Sequence, residues 1–472
     1  MRNFAAVLLA TSFLTACAVG PDYARPDSSV AGAFQQKAAN VSAAEPVGTF
    51  WTGFSDPLLT RLVDEALQRN TDLRVAVARL DQARALSFQS TLDLLPTVTG
   101  QGGFTTARTP ASRTLPGASR DSDSYDAGIN AAWEIDLFGR VRRGVESDRA
   151  EAQAVAADLR GVQVSVVSEV VKSYFELRGR QEQLSVARRN ADNQRDTLKL
   201  TETRLEAGRG TDFDTARARA QLKLTESRIP QLETAVAAAA HRLSVLTGRE
   251  PGALTGELAT PAPLAALPQD VAVGTPAELL RRRPDIQAAE RRLASATARV
   301  GVATADLFPR LTLGGTLSSV SPTLGGLFSA SSESYAAGPL ISWAFLDLGR
   351  VKARIDASDA NARASLATYE GTVLKALEES ENALIAYDRT RLEAEHLEQA
   401  AAAGREGARL ARVRFENGIA DFLPVLDAER SLLEAEDRLA ETRTRAATTL
   451  VAVYKAVAGG WPDRVVQNET GG

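Results

Sequence analysis

One cysteine, Cys17, and two histidines, His241 and His396, are all that this chain offers to sulfur or imidazole chemistry. A single thiol excludes an intrachain disulfide. The histidines stand apart on helical segments, with no clustered cysteine or carboxylate spacing, so the usual zinc patterns are missing. So are a phosphate-binding glycine loop, a nucleophile elbow and a zinc-protease helix. Excess charge of one sign is absent as well: 55 Lys and Arg face 59 Asp and Glu, which leaves no electrostatic footprint for nucleic acid. "RRRPD" at 281–285 reads as an exposed helix face. Beyond residue 20 no run of 18 apolar residues occurs, so helices are not the means by which this chain would cross a membrane. These gaps argue against an enzyme, a metal or cofactor protein, and a nucleic-acid binder.

What is present begins around the cysteine. Arg2 gives a positive start, "FAAVLLATSFL" an apolar run too short to span a bilayer, and Leu14-Thr15-Ala16-Cys17 a run of small residues at a cleavage point. This is the layout of a secretory signal over 1–16 and resembles a bacterial lipobox. Cys17 is then the first residue of the mature chain and its sulfur carries lipid. The thiol is an anchor, and this covalent lipid is the only attached group expected.

The rest is a duplication with a period of about 210. "AAWEIDLFGRV" at 131–141 matches "ISWAFLDLGRV" at 341–351, pairing Trp133 with Trp343 and Arg140 with Arg350. "RLEAGRGTDFDTARA" at 204–218 matches "RFENGIADFLPVLDA" at 414–428, pairing Gly208 with Gly418 at the same offset of 210. Upstream, Asp72, Leu80 and Pro96 pair with Asp285, Leu293 and Pro309 at an offset of 213, so the halves differ by three residues in a surface loop. A period this long is duplication of a whole structural unit, not a solenoid. The expected organisation is a lipidated N-terminal segment over 17–56, a first repeat over 57–247, an equatorial linker over 248–276, a second repeat over 277–459 and a tail over 460–472.

Each half reads as helix, β-hairpin, very long helix, turn and helix, with hairpins at about 96–137 and 309–347. Arg140 to Ala207 contains no proline, and a helix of that span is on the order of 100 Å long. Its apolar residues recur at sevens, Val170, Leu177, Leu184, Ala191, Leu198 and Leu205, a coiled-coil seam; the second long helix, over Arg350–Asn417, has a weaker, alanine-rich pattern. In "YDAGINAAWEIDL" the odd positions from Tyr125 to Leu137 are apolar and the even ones polar or small, the alternation of a strand with two different faces. Tyr125 and Trp133 stand eight residues apart, as do Tyr335 and Trp343, roughly 26 Å along a strand. Two aromatic rows at that spacing suit the girdles of an outer-membrane barrel, although an ordinary half-covered antiparallel sheet also fits. Four strands cannot close in lipid. Two chains would give a bore filled by side chains, and three give twelve strands around a lumen.

"CAVGPDYARP", "GTPAELLRRRPDIQAAERRLASA", "WEIDLFGRV" and the paired glycine turns, in this order, resemble the TolC and OprM family of outer-membrane efflux proteins, in its NodT-type lipoprotein branch. The resemblance implies a mixed fold, a membrane β-barrel continuing into a long α-helical barrel, with four strands per chain and a twelve-stranded barrel in the homotrimer. It implies the exit duct of a tripartite pump, anchored in outer-membrane lipid and working with a periplasmic adaptor protein and an inner-membrane pump of RND type on small toxic compounds. The helix-turn tips at Gly208 and Gly418 would meet the adaptor. Counting from Gly418, the family's periplasmic gate falls on Leu423, Asp427 and Arg430. Pro424 stands where some members have a further aspartate. From the residues alone, Asp427 and Arg430 are an i,i+3 surface pair worth about 0.3 kcal/mol. A polypeptide secretion duct of the same fold and a coiled-coil envelope spacer are the alternatives; conductance separates the spacer, and the inner-membrane partner separates the secretion duct.

Overall fold

The computed structural model describes residues 18–27, 30–35 and 40–457. Cys17, the signal segment and the 460–472 tail lie outside the described residues. Asp56 starts the first helix, α1 (Pro57–Arg69): its Oδ1 accepts from the N–H groups of Leu58 at 2.9 Å and Leu59 at 3.2 Å, and Pro57 fills a first-turn position that needs no donor. Then follow α2 (Thr71–Leu92), β1 (Thr97–Arg108), β2 (Asp121–Ile135), α3 (Arg140–Glu206) and α4 (Asp212–Leu246). The second half repeats the order with α5 (Pro276–Arg282), α6 (Pro284–Ala305), β3 (Arg310–Ser321), β4 (Glu333–Ser342), α7 (Leu348–Glu416) and α8 (Leu423–Val457). Between the halves lie one helical turn, Thr255–Leu258, and the strand Val271–Ala272, which pairs in parallel with Val41–Ser42. Thr275 and Glu278 then form a reciprocal capping box that opens α5.

The chain divides into two compact units. One gathers Arg79–Ala156, Ala288–Glu370 and the described residues up to Asp27; the other gathers the described residues of Ser28–Ala78, Ala157–Gln287 and those from Gly371 onward.

The first unit carries a four-stranded antiparallel sheet in the order β1-β2-β3-β4. The register puts Tyr125 beside Phe104 and Ser321, Ile129 beside Gly100 and Leu317, and Leu317 beside Tyr335. One face therefore collects Val98, Phe104, Tyr125, Ile129, Trp133, Leu313, Leu317, Tyr335 and Ile341. The other is mostly small and polar, with Val320 and Leu340 its two large apolar residues: Asn130 Nδ2 donates to Gln101 Oε1 at 3.0 Å, and the hydroxyls of Ser318 and Ser334 lie 2.9 Å apart. The apolar face is exposed, Tyr335 at 86 % and Ile341 at 70 %. The alternation read through Leu137 stops at Ile135, because Leu137 N–H donates to Ile135 O at 2.8 Å and the chain turns toward α3. Trp343 likewise stands one residue beyond the end of β4.

In the second unit aromatic rings anchor α1's approach: Phe50 stacks on Tyr454 with centroids 4.6 Å apart, and Phe54 meets Phe175 edge-on at 4.8 Å. The Tyr174 hydroxyl donates to Asp56 Oδ2; burial, then this bond, pushes its pKa up to about 12. The seam of α3 departs from the sevens read in the sequence. Val170, Leu177 and Ala191 are buried, but Leu184, Leu198 and Leu205 are half-buried, and the row between them passes through Gln181, Asn190, Gln194, Thr197 and Thr201. The buried rows of α3 still run in sevens, Gln183, Asn190 and Thr197 beside Ala187, Gln194 and Thr201, and these leucines stand one position to the side of them. The steadier row lies on α7, where Val373, Ser380, Tyr387, Ala401, Ala408 and Phe415 are buried at multiples of seven.

Candidate functional site

Two regions qualify: the turns that join the long helices, and the sheet with its two faces. At the first turn, Gly208 adopts φ +68°, its N–H donates to Leu205 O at 2.9 Å, and Arg209 N–H donates to Arg204 O at 2.8 Å. At the second, Gly418 adopts φ +72°, its N–H donates to Phe415 O at 2.9 Å, and Ile419 N–H donates to Arg414 O at 2.9 Å. Both are the six-residue helix stop whose left-handed position favours glycine.

Past the second turn, Phe422 is buried and starts α8, with the N–H groups of Val425 and Leu426 donating to its carbonyl at 3.0 and 3.1 Å. Phe415 and Phe422 pack with centroids 5.5 Å apart, beside Val425 and Ala218, and the Arg204 guanidinium lies 4.2 Å from the Phe415 ring. The periodicity then decides what faces out. Positions 422, 425 and 429 point inward, whereas Leu423, Asp427 and Arg430 share the opposite, exposed face. Arg430 donates to Asp427 Oδ1 at 3.0 Å, and both side chains are about two-thirds exposed, 67 % and 65 %. Leu423 is 55 % exposed. The three residues named from the sequence are thus together on one face. Glu429, which lies between Asp427 and Arg430 in sequence and is buried, carries no such local signal.

At the sheet, Tyr125 lies in β2 against Phe104, with centroids 4.7 Å apart, and Tyr335 lies in β4 opposite Leu317. The two tryptophans sit at the helix-proximal strand ends and make the same bond in each half. Trp133 Nε1 donates to Leu94 O at 3.0 Å and Trp343 Nε1 to Leu307 O at 3.0 Å, each acceptor two residues before the proline that precedes the hairpin. An indole with one apolar body and one satisfied N–H suits a boundary between lipid and water. Among the described residues no group of three or more His, Cys, Asp or Glu could hold a metal, and no helix is long and apolar enough to cross a membrane.

Residues 62–249 and 275–459 each match the family model described as outer membrane efflux protein. The chain belongs to this family. Two matches in one chain are the duplication seen in the helices and hairpins. The chain is 31% identical over 452 residues to nodulation protein T of Rhizobium leguminosarum bv. trifolii, covering 95% of both chains. It is 32% identical over 471 residues to the probable efflux pump outer membrane protein TtgC of Pseudomonas putida, covering 98% of this chain and 96% of that one. The solved structure of the outer-membrane channel OprN superposes with a TM-score of 0.87 at 42% identity, over 94% of this chain and all of that one. The protein is therefore an outer-membrane protein with a TolC-like channel fold that extends into the periplasm, and its family is a duct rather than an enzyme.

Proposed function

We propose that this protein is the exit duct of a tripartite efflux pump, a homotrimer that conducts small toxic compounds outward and is closed at rest by its periplasmic end. The observation that carries the reading is the four-stranded sheet: one apolar exposed face, one polar face, and two outer strands, β1 and β4, each paired on one side only among the described residues. Such edges are not tolerated in lipid, and the pairing that uses them without leaving a new edge is β4 of one copy on β1 of the next, closed in a ring. Three copies supply twelve strands and a lumen lined by the polar face around Asn130 and Ser318. The spacer alternative gives no account of this sheet.

Cys17 carries the lipid in this reading, and the described chain resumes at Ala18, whose neighbour Val19 donates its N–H to Phe138 O at 3.1 Å at the strand-to-helix junction. That contact would bring the anchor to the membrane-facing end of the first unit. The tips at Gly208 and Gly418 meet the periplasmic adaptor, which links the duct to an inner-membrane pump of RND type. Leu423, Asp427 and Arg430 form the closing ring. Three copies of Asp427 around one axis repel, and Arg430, already bonded to it at 3.0 Å, is the compensating donor.

Native mass spectrometry of the detergent-purified protein, followed by planar-bilayer recording, tests this. A trimer of chains starting at acylated Cys17, with small resting conductance, is expected. A folded monomer, or a trimer that never conducts, contradicts the duct.

A further inference from the structure

Helices α3, α7 and α8 are joined by a polar rung that recurs one heptad later. In the tipward rung Glu429 Oε1 accepts from Arg412 Nη2 at 2.8 Å and from Thr197 Oγ1 at 2.8 Å, and the same Arg412 nitrogen reaches Asn193 O at 3.2 Å. In the next rung Glu436 accepts from Arg405 Nη2 at 2.7 Å and from Asn190 Nδ2 at 3.2 Å. Every member has moved by seven: 197 to 190 on α3, 412 to 405 on α7, 429 to 436 on α8. Seven positions higher the α7–α8 pair persists with its charges exchanged, Arg443 donating to Glu398 at 2.7 Å. Seven positions toward the tip α8 carries Phe422 in place of a glutamate, within the apolar cluster that includes Phe415 and Val425.

The rungs differ in burial. Glu429 is 8 % exposed at its side chain and Arg412 32 %, whereas the exchanged pair is about half exposed, Arg443 at 49 % and Glu398 at 64 %. Exposed pairs contribute little, but removing one partner of a buried pair leaves an uncompensated charge and is strongly destabilising. In the middle rung Glu436 is shielded but its partner Arg405 is exposed, so the tipward rung, where both partners are more withdrawn from solvent, is the energetic one. It sits on the reverse side of the α8 turns that carry Asp427 and Arg430.

We infer that Glu429 and Arg412 are positioning residues for the periplasmic gate. They fix the rotation and height of the first turns of α8 against α3 and α7, and so the direction in which Leu423, Asp427 and Arg430 project. This rests on the closing-ring reading above. A glutamate held from two helices at once, by a guanidinium on α7 and a hydroxyl on α3, tolerates neither a sideways swing of α8 nor a shift of one turn without losing a bond. Opening by movement of these helices then requires breaking the rung, and the rung biases the resting state toward closed.

Hydrogen exchange of the intact trimer and bilayer recording, on the same variants, test it. Arg412→Ala and Glu429→Ala should each speed amide exchange over 420–435 roughly tenfold, with little change above residue 440, and raise resting conductance. The exchanged double variant Arg412→Glu/Glu429→Arg, which copies the charge order of Glu398 and Arg443, should restore both readouts. Gln194→Leu, which occupies the same cleft between the rungs but belongs to neither, should leave both near the parent. Unchanged exchange in the two single variants, or an exchanged variant as loose as they are, overturns the inference. Where Arg430→Ala opens the channel and Arg412→Ala does not, the inference fails while the gate reading stands. Where exchange responds but neither variant conducts more, the gate reading fails and takes the inference with it.

Discussion

The two helix turns of this protein have one backbone and two surfaces. At the first, Thr211 caps α4 by accepting from Asp214 N–H at 3.2 Å, and the Arg217 guanidinium lies 4.4 Å from the exposed Phe213 ring. At the second, a buried aromatic pair plugs the corner and an aspartate and arginine face outward. At an offset of 210, Phe213 corresponds to Leu423, Arg217 to Asp427 and Ala220 to Arg430, so the outward ion pair has no copy in the first half. Inside the corner, Phe415 corresponds to half-buried Leu205 and Phe422 to exposed Asp212. Duplication supplied the turn, which depends on glycine geometry. Side-chain divergence then gave the two tips different surfaces. One is capped and solvated, and the other is packed from behind and presents charge in front.

Emptying the second corner should have the largest effect. Phe422→Ala removes a ring that is 2 % exposed and should destabilise the α7–α8 tip by about 3 kcal/mol or more, read as a lower unfolding midpoint of the tip in exchange or proteolysis experiments. Leu205→Ala, at the first-half position of Phe415, should cost less than half of that. A loss of equal size at both sites would mean that the corners are packed alike.

Turn strain comes next. Gly208→Ala and Gly418→Ala each place a Cβ on a left-handed residue, and an added Cβ at Gly208 meets nothing within 4 Å while at Gly418 it meets Arg204 at 3.7 Å. The backbone cost is then the same, about 1–2 kcal/mol at either tip, measured by denaturant unfolding of the purified protein. The two variants should separate in conductance, with Gly418→Ala alone raising it.

The smallest effect is alkaline. Tyr454 of α8 has its pKa pushed up to about 12 by burial, then by Tyr387 and Asp270, whereas α4 carries Ser244 at the matching position. The native state holds the phenol proton more tightly than the unfolded chain, whose value is near 10.0. The stabilisation is complete below that pH and disappears as pH rises toward about 12. The far end of α8 should therefore loosen before that of α4 between these limits, and Tyr454→Phe should abolish the difference. Identical alkaline behaviour of parent and variant would contradict it.

Much of this is legible in the sequence. The offset of 210 between Gly208 and Gly418 locates both turns, the absence of proline locates α3 and α7, and the alternation around Ile129 distinguishes the sheet's two faces. Leucine spacing misplaces the seam, because the buried rows use Ser380, Ala401 and Ala408 on α7 and Gln194 and Thr197 on α3. Both buried rows keep the period of seven, but small and polar side chains fill them, so leucine is the wrong marker for the seam. The ion pair of Asp427 and Arg430 is a local spacing and can be read. The rung of Thr197, Arg412 and Glu429 joins residues more than 200 positions apart, and its one sequence signal is an arginine pair and a glutamate pair, each seven apart, in adjoining segments. The tryptophan bonds are hidden for another reason: their acceptors are the backbone carbonyls of Leu94 and Leu307, which no side-chain pattern announces.

If Asp427 and Arg430 form the gate, the second tip closes the duct and the first does not. Single-channel recording of the purified Arg430→Ala and Arg217→Ala proteins under identical conditions separates the two tips. A several-fold rise in resting conductance is expected for Arg430→Ala and parent-like behaviour for Arg217→Ala, with both variants trimeric by native mass spectrometry. Equal conductance of parent and both variants would return Asp427 and Arg430 to an ordinary surface pair and place closure elsewhere.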